Sequence, residues 1–155
     1  MYEKFGQFIN GKWQHSSDKG TYEVINPANE EVLGQASKAT PKDVEAALQS
    51  AAKGLEVWKK TPPWQRSYII RRIADKMREK QDVLAKWMTL EVGKPLAEAK
   101  GEINGAADIF EWNSEETKRI YGQTVESRFE DTRVHVYYQP VGVVAALSPW
   151  NFPAV

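Results

Sequence analysis

The sequence predicts an α/β fold, incomplete within this chain: small β-hairpins, then four helices, an alternating strand and one strand of the buried, parallel-sheet type. Three observations predict it. Asn10-Gly11 stands between apolar residues as a tight-turn dipeptide does. Apolar residues recur at helical spacing from Thr40 to about Tyr121. Val141-Gly142-Val143-Val144-Ala145-Ala146-Leu147 is a continuous apolar run of the kind found in strands covered on both faces. Such a strand needs parallel neighbours reached through crossover helices, and no βαβ unit follows it.

The elements follow in order. Phe8-Ile9-Asn10-Gly11-Lys12-Trp13 reads as a hairpin because Asn and Gly both tolerate positive φ. Tyr22 to Asn26 is a second extended stretch that turns at Pro27 and resumes at Glu31 to Ala36, so the first forty residues form a small antiparallel patch. Thr40-Pro41 supplies an N-cap and a first-turn proline for a helix carrying Val44, Leu48, Ala51, Ala52, Leu55 and Trp58 on one face. Thr61-Pro62-Pro63 ends it. Ile69, Ile70, Ile73 and Met77 mark the apolar side of a second helix, opposite Arg66, Arg71, Lys76 and Arg78. Val83, Leu84, Trp87 and Met88 mark that of a third, and these Trp and Met residues read as core. Gly93-Lys94-Pro95 closes the third helix and opens a fourth, Leu96 to about Tyr121, with Ile103, Ala106, Ala107, Phe110 and Tyr121 as its buried positions. Gly101 and Gly105 in this helix have a spacing that permits close helix contact. Beyond Gly122, Arg133 to Gln139 alternates, with Val134, Val136 and Tyr138 on one face of an antiparallel or edge strand.

Composition excludes several kinds of chemistry. Lys plus Arg and Asp plus Glu both number 21 in 155 residues, which gives no general attraction to nucleic acid or to an anionic membrane. Cysteine is absent, so this chain carries no disulfide, thiolate metal site or cysteine nucleophile. His15 and His135 lie far apart, and no metal site is expected. The start has no leader pattern and no stretch approaches the ~20 apolar residues of a membrane span, so a cytoplasmic location is expected.

Pro140-Val141-Gly142-Val143 through Ser148-Pro149-Trp150-Asn151-Phe152-Pro153 closely resembles the PxGVxxxIxPWNFP signature of the NAD(P)-dependent aldehyde dehydrogenase superfamily. Phe8 to Trp13, Asn26-Pro27-Ala28-Asn29-Glu30, Val57-Trp58 and Glu91 to Ala99 resemble further landmarks in the same order. The likeness spans essentially the whole chain. Gly93 to Ile103, GKPLAEAKGEI, is similar to the succinate-semialdehyde dehydrogenase branch.

The resemblance implies the N-terminal portion of the aldehyde dehydrogenase fold, with a Rossmann-like parallel sheet: residues 1–122 are the N-terminal segment of the cofactor-binding domain and 123–140 an oligomerisation β arm. Residues 141–155 would be the first parallel strand and active-site loop, with the catalytic domain absent. It implies NAD or NADP as cofactor, an aldehyde substrate, and a homo-oligomer, dimer or tetramer. Leu147, Ser148, Pro149 and Trp150 are then cofactor-binding, lining the nicotinamide end. Phe152 lies by the aldehyde entrance as a substrate contact. Asn151 is the catalytic residue, its side-chain amide stabilising the alkoxide formed when a thiolate attacks the aldehyde. On spacing alone, Asn151 reads first as an asparagine capping a turn between two prolines, with the aromatics filling core. With the resemblance, the oxyanion role is preferred. Ser148 has no nearby His or Asp to activate it as a nucleophile.

The other polar residues read as surface. Glu91, Lys94, Glu111, Glu115 and Glu116 fit a solvated charged face, and His135 an interface or surface position. The family mechanism also needs a cysteine, a glutamate base and a glycine-containing dinucleotide loop, none of which this chain supplies. The expectation is therefore the N-terminal part of an aldehyde-oxidising enzyme, inactive alone. The alternative is a non-catalytic oligomerisation or interaction module, motivated by an unpaired Val134–Tyr138 strand and an exposed apolar edge from Val141 to Val155.

Overall fold

The computed structural model describes residues 6–155. The first five residues of the expected 1–122 segment therefore lie outside the described residues. The chain begins with two hairpins. β1 (Gln7–Ile9) and β2 (Lys12–Gln14) pair antiparallel with Phe8 opposite Trp13, whose rings lie 5.1 Å apart. Asn10 and Gly11 take φ of 53° and 74°, as the two central residues of a type I′ turn must. β3 (Thr21–Ile25) pairs with β4 (Val32–Ser37), with a bulge at Val24/Ile25. Asn26 closes the connection between them: its N–H donates to the Glu31 carbonyl at 2.9 Å and its Oδ1 accepts from Ala28 N–H at 3.0 Å.

α1 (Pro41–Trp58) starts at a capping box that Thr40 and Asp43 build together. Thr40 N–H donates to Asp43 Oδ2 at 2.9 Å and Asp43 N–H donates back to Thr40 Oγ1 at 3.3 Å, satisfying two of the donors a helix start leaves open. Ser17 N–H also donates to the Asp43 carboxylate at 3.1 Å, which fastens the loop after β2 to the helix. The predicted Thr40-Pro41 start is thus correct, and Asp43 is the member of the cap that the sequence pattern left out. The α1 apolar stripe does not reach a core. Only Asp43 of this helix is buried, while Val44, Leu48 and Trp58 are exposed.

The core is helical. α2 (Pro63–Glu79), α3 (Gln81–Val92) and α4 (Leu96–Glu116) follow in series, with α2 and α3 both packed on α4. Its buried apolar residues are Ala74 from α2, Ala85 and Met88 from α3, and Ala99, Ile103, Ala106 and Ala107 from α4. The α4 positions recur every three or four residues, one stripe of a 3.6-residue helix. Alanines dominate it, so the helix axes approach closely. Gly101 and Gly105 do not serve that purpose, since a Cβ at either would meet nothing within 4 Å. Ile103, Ala106 and Ala107 are buried as expected, whereas Phe110 and Tyr121 are exposed. For Tyr121 the reason is that α4 ends at Glu116 in a 3₁₀ turn, Thr117–Arg119, which carries it off the helical stripe; Phe110 lies within α4 and stands 36% exposed.

Ion pairs join the outer faces of the helices. Arg71 Nη1 lies 3.1 Å from Glu111 and Arg78 Nη2 2.6 Å from Asp108. Hydrogen bonds that Arg78 donates to the Asp108 and Glu111 carboxylates raise its pKa, and a hydrogen bond from the Lys118 ammonium lowers that of Glu115. Glu111 and Glu115 lie half-buried on this charged outer face, where a charged face was expected of them.

β5 (Gln123–Glu126) and β6 (Arg133–Val136) form a third antiparallel hairpin, exposed along its length. The strand expected to be unpaired therefore has a partner, with Val134 opposite Val125. The predicted buried strand at Val141–Leu147 does not form. These residues join no sheet, and Val141 and Leu147 are 92% and 95% exposed. A parallel strand is stable only between neighbours that take up its N–H and C=O groups, and no described strand pairs with this one.

Hydrogen bonds from the Thr40 backbone, then from Ser17, hold the Asp43 pKa down to about 2. A depressed carboxylate stabilises the fold above its unfolded pKa of ~3.9 and ceases to do so as pH falls through its folded value. The melting-temperature loss in Asp43→Ala should therefore be fully present above pH ~4 and shrink toward pH 2. Circular dichroism melts across that range check it, and a loss constant with pH would contradict it. For the glycines, Gly93 has φ 78° and a Cβ there would sit 3.0 Å from Pro27 Cγ. Gly93→Ala should cost at least the ~1–2 kcal/mol of a left-handed L-residue. Gly101→Ala, which meets open space, should stabilise by roughly 0.5–1 kcal/mol, as denaturant titration would measure.

Candidate active-site loop

The loop of Leu147 to Phe152 lies against the corner where α3 gives way to α4, and the corner explains its shape. Gly93, in the left-handed conformation, ends α3 with its N–H on the Thr89 carbonyl. The chain then reverses through Lys94-Pro95 into α4, and this leaves the Lys94 side chain beside the first two turns of that helix. Glu102 sits among Ala99, Ile103 and Ala106 on the buried stripe.

Lys94 and Glu102 make a buried ion pair, their side chains 11% and 3% exposed. Both have further partners. Lys94 Nζ donates to the backbone carbonyl of Asn151 at 2.7 Å and stands 4.2 Å from the centroid of the Phe152 ring, within cation–π range. Glu102 Oε1 accepts from Ala154 N–H at 2.9 Å. Ala154 itself packs against the core of Ala85, Met88, Ala99 and Ile103. The solvated role expected of Lys94 is thus corrected: a lysine that lies under a loop and finds a carboxylate is buried with it. Glu102 was not singled out in the sequence, although the signal was there. It falls at i+3 from Ala99, a charged residue on an otherwise apolar stripe.

The turn at Trp150-Asn151 is closed by backbone atoms, with Phe152 N–H donating to the Pro149 carbonyl at 3.2 Å. The Asn151 side chain takes no part in it. Among the described residues its amide has no hydrogen-bond partner, and Asn151 is exposed. The backbone on either side of the amide is held while the amide itself points to no protein group. This arrangement suits a donor for an incoming oxygen.

Leu147 and Ser148 precede the turn, Pro149 and Trp150 form its first half, and all four are exposed. They offer carbonyls, one hydroxyl and the Leu147 and Trp150 side chains, a mixed polar and apolar surface. They include no run of backbone N–H groups in the phosphate-cradling arrangement of a glycine-rich loop. Phe152 is exposed on one side and faces the Lys94 ammonium on the other.

Comparison with known proteins gives a consistent result. Residues 13–155 match the model of the aldehyde dehydrogenase family. The chain is 47% identical over 147 residues to a glutarate-semialdehyde dehydrogenase of Pseudomonas putida, covering 95% of this chain and 31% of that protein. It is 47% identical over 146 residues to an NADP-dependent succinate-semialdehyde dehydrogenase of Escherichia coli, covering 94% and 30%. A succinate-semialdehyde dehydrogenase from Burkholderia pseudomallei superimposes with a TM-score of 0.93 at 40% identity, over 97% of this chain and 31% of that structure. The chain thus spans about 30% of the length of the curated relatives it matches. It belongs to the aldehyde dehydrogenase family.

Proposed function

We propose that this chain provides the N-terminal part of an NAD(P)-dependent oxidoreductase that converts a short semialdehyde, of the succinate or glutarate kind, to its dicarboxylate. The observation that carries the reading is the Asn151 amide, unpartnered on a turn whose backbone is fixed from both sides. Its support in kind is the likeness to semialdehyde dehydrogenases over 95% of the chain.

The chemistry assigned to Asn151 follows from its type. Attack of a thiolate on the aldehyde carbon turns a planar carbonyl into a tetrahedral alkoxide. A neutral Nδ2–H₂ donor gains more from the alkoxide than from the carbonyl, so it lowers the barrier rather than only tightening binding. The thiolate comes from outside residues 1–155, which hold no cysteine. Leu147 to Trp150 hold the nicotinamide end of the cofactor against the turn. When bound, NAD(P)⁺ supplies the hydride acceptor. Phe152 forms one wall of the aldehyde entrance. The β5–β6 hairpin is the arm through which subunits pair into a dimer or tetramer, its exposed strands available for such a contact.

Asn151→Ala in the complete enzyme should lower kcat about 100-fold or more, with the KM for the dinucleotide little changed. Steady-state kinetics with succinate and glutarate semialdehydes, each with NAD⁺ and NADP⁺, measure this and rank the substrates and cofactors. Residues 1–155 alone should produce no NAD(P)H. A variant within twofold of the parent rate would remove Asn151 from the mechanism.

A further inference from the structure

We propose that Lys94 and Glu102 are positioning residues for the oxyanion donor, a clamp on the active-site loop that acts through backbone atoms; the role rests on the assignment of Asn151 above. The geometry is specific. Lysine has three ammonium donors, and here Glu102, the Asn151 carbonyl and the face of the Phe152 ring surround them. Glutamate has two oxygens, one taken by Lys94 and the other by Ala154 N–H. The pair therefore grips the loop at residue 151 and again at residue 154. The segment Asn151 to Ala154 is thus tied to the α3–α4 corner at both of its ends.

A pair whose work was stability alone would not need this arrangement. A buried ion pair is commonly neutral or unfavourable compared with apolar residues of the same volume, because two charges lose their water. What apolar residues cannot do is hold a carbonyl and an amide. Lys94 and Glu102 hold one of each, on the residue that carries the donor and three residues beyond it. A displacement of about 1 Å at a reacting group can cost about 100-fold in rate, which is the scale on which such a clamp matters.

The test compares Lys94→Met/Glu102→Leu with Asn151→Ala in the complete enzyme. The double variant removes both charges together and fills their space, so its melting temperature should stay within a few degrees of the parent. Its kcat, corrected for active-site concentration, should fall about 10- to 100-fold with the dinucleotide KM nearly unchanged. Hydrogen exchange of the 147–155 peptide should quicken in the double variant and not in Asn151→Ala. Unaltered exchange, or a kcat within twofold of the parent while Asn151→Ala is impaired, would overturn the clamp. If Asn151→Ala itself kept full rate, the oxyanion assignment would fall, and the positioning role with it, even with exchange quickened. Should the double variant lose its melting transition, Glu102→Gln, which keeps the volume of the side chain, carries the same comparison and the same expected directions.

Discussion

One face of α4, the line of Ala99, Glu102, Ile103, Ala106 and Ala107, is the surface on which α2, α3 and the C-terminal loop all rest. Small side chains on that face let α2 and α3 come close, and the small number of methyl groups buried makes each contact matter. Shifting α4 would therefore move the loop as well as the core. The catalytic candidate belongs to the packing of this helix as much as to its own segment.

Glu102 interrupts that apolar line with a charge, and the surroundings account for its tolerance there. Its two oxygens meet Lys94 and the Ala154 amide, and the lysine meets a carbonyl and an aromatic face besides. A buried polar network is costly when partly satisfied and rigid when fully satisfied. This one is satisfied at both carboxylate oxygens. Asn151 presents the opposite condition a few ångströms away, with its backbone carbonyl bound and its amide open. Rigid support beneath an open donor is the arrangement that electrostatic preorganisation requires.

Local signals in the sequence were sufficient wherever the chain's nearest neighbours decide its conformation. Asn10-Gly11, Thr40-Pro41 and Gly93-Lys94-Pro95 each placed a turn or helix end correctly, because positive φ and capping are properties of a few consecutive residues. Tyr121 failed as a core position, since the 3₁₀ turn after Glu116 changes the period that would have buried it, and Phe110, within α4, stands 36% exposed. Val141 to Leu147 has the composition of a buried strand but no neighbour within the described residues, and composition alone cannot supply one. The family was legible from motifs in order. The Lys94–Glu102 clamp was not, because its partners lie 57 and 52 residues downstream of it and no spacing rule links them.

That separation bears on how much the intervening chain is free to vary. Between the corner and the loop lie the rest of α4, the 3₁₀ turn and the whole β5–β6 hairpin, yet the loop is located by two side chains at its far end. The entropy of closing a loop grows only logarithmically with its length, about 0.6 kcal/mol for each doubling of a flexible one. Residues inserted at the hairpin tip, between Glu126 and Arg133, would lengthen the path at small cost and leave Asn151 where it is. Hairpins of different reach could thus arise on this scaffold without disturbing the geometry of the turn.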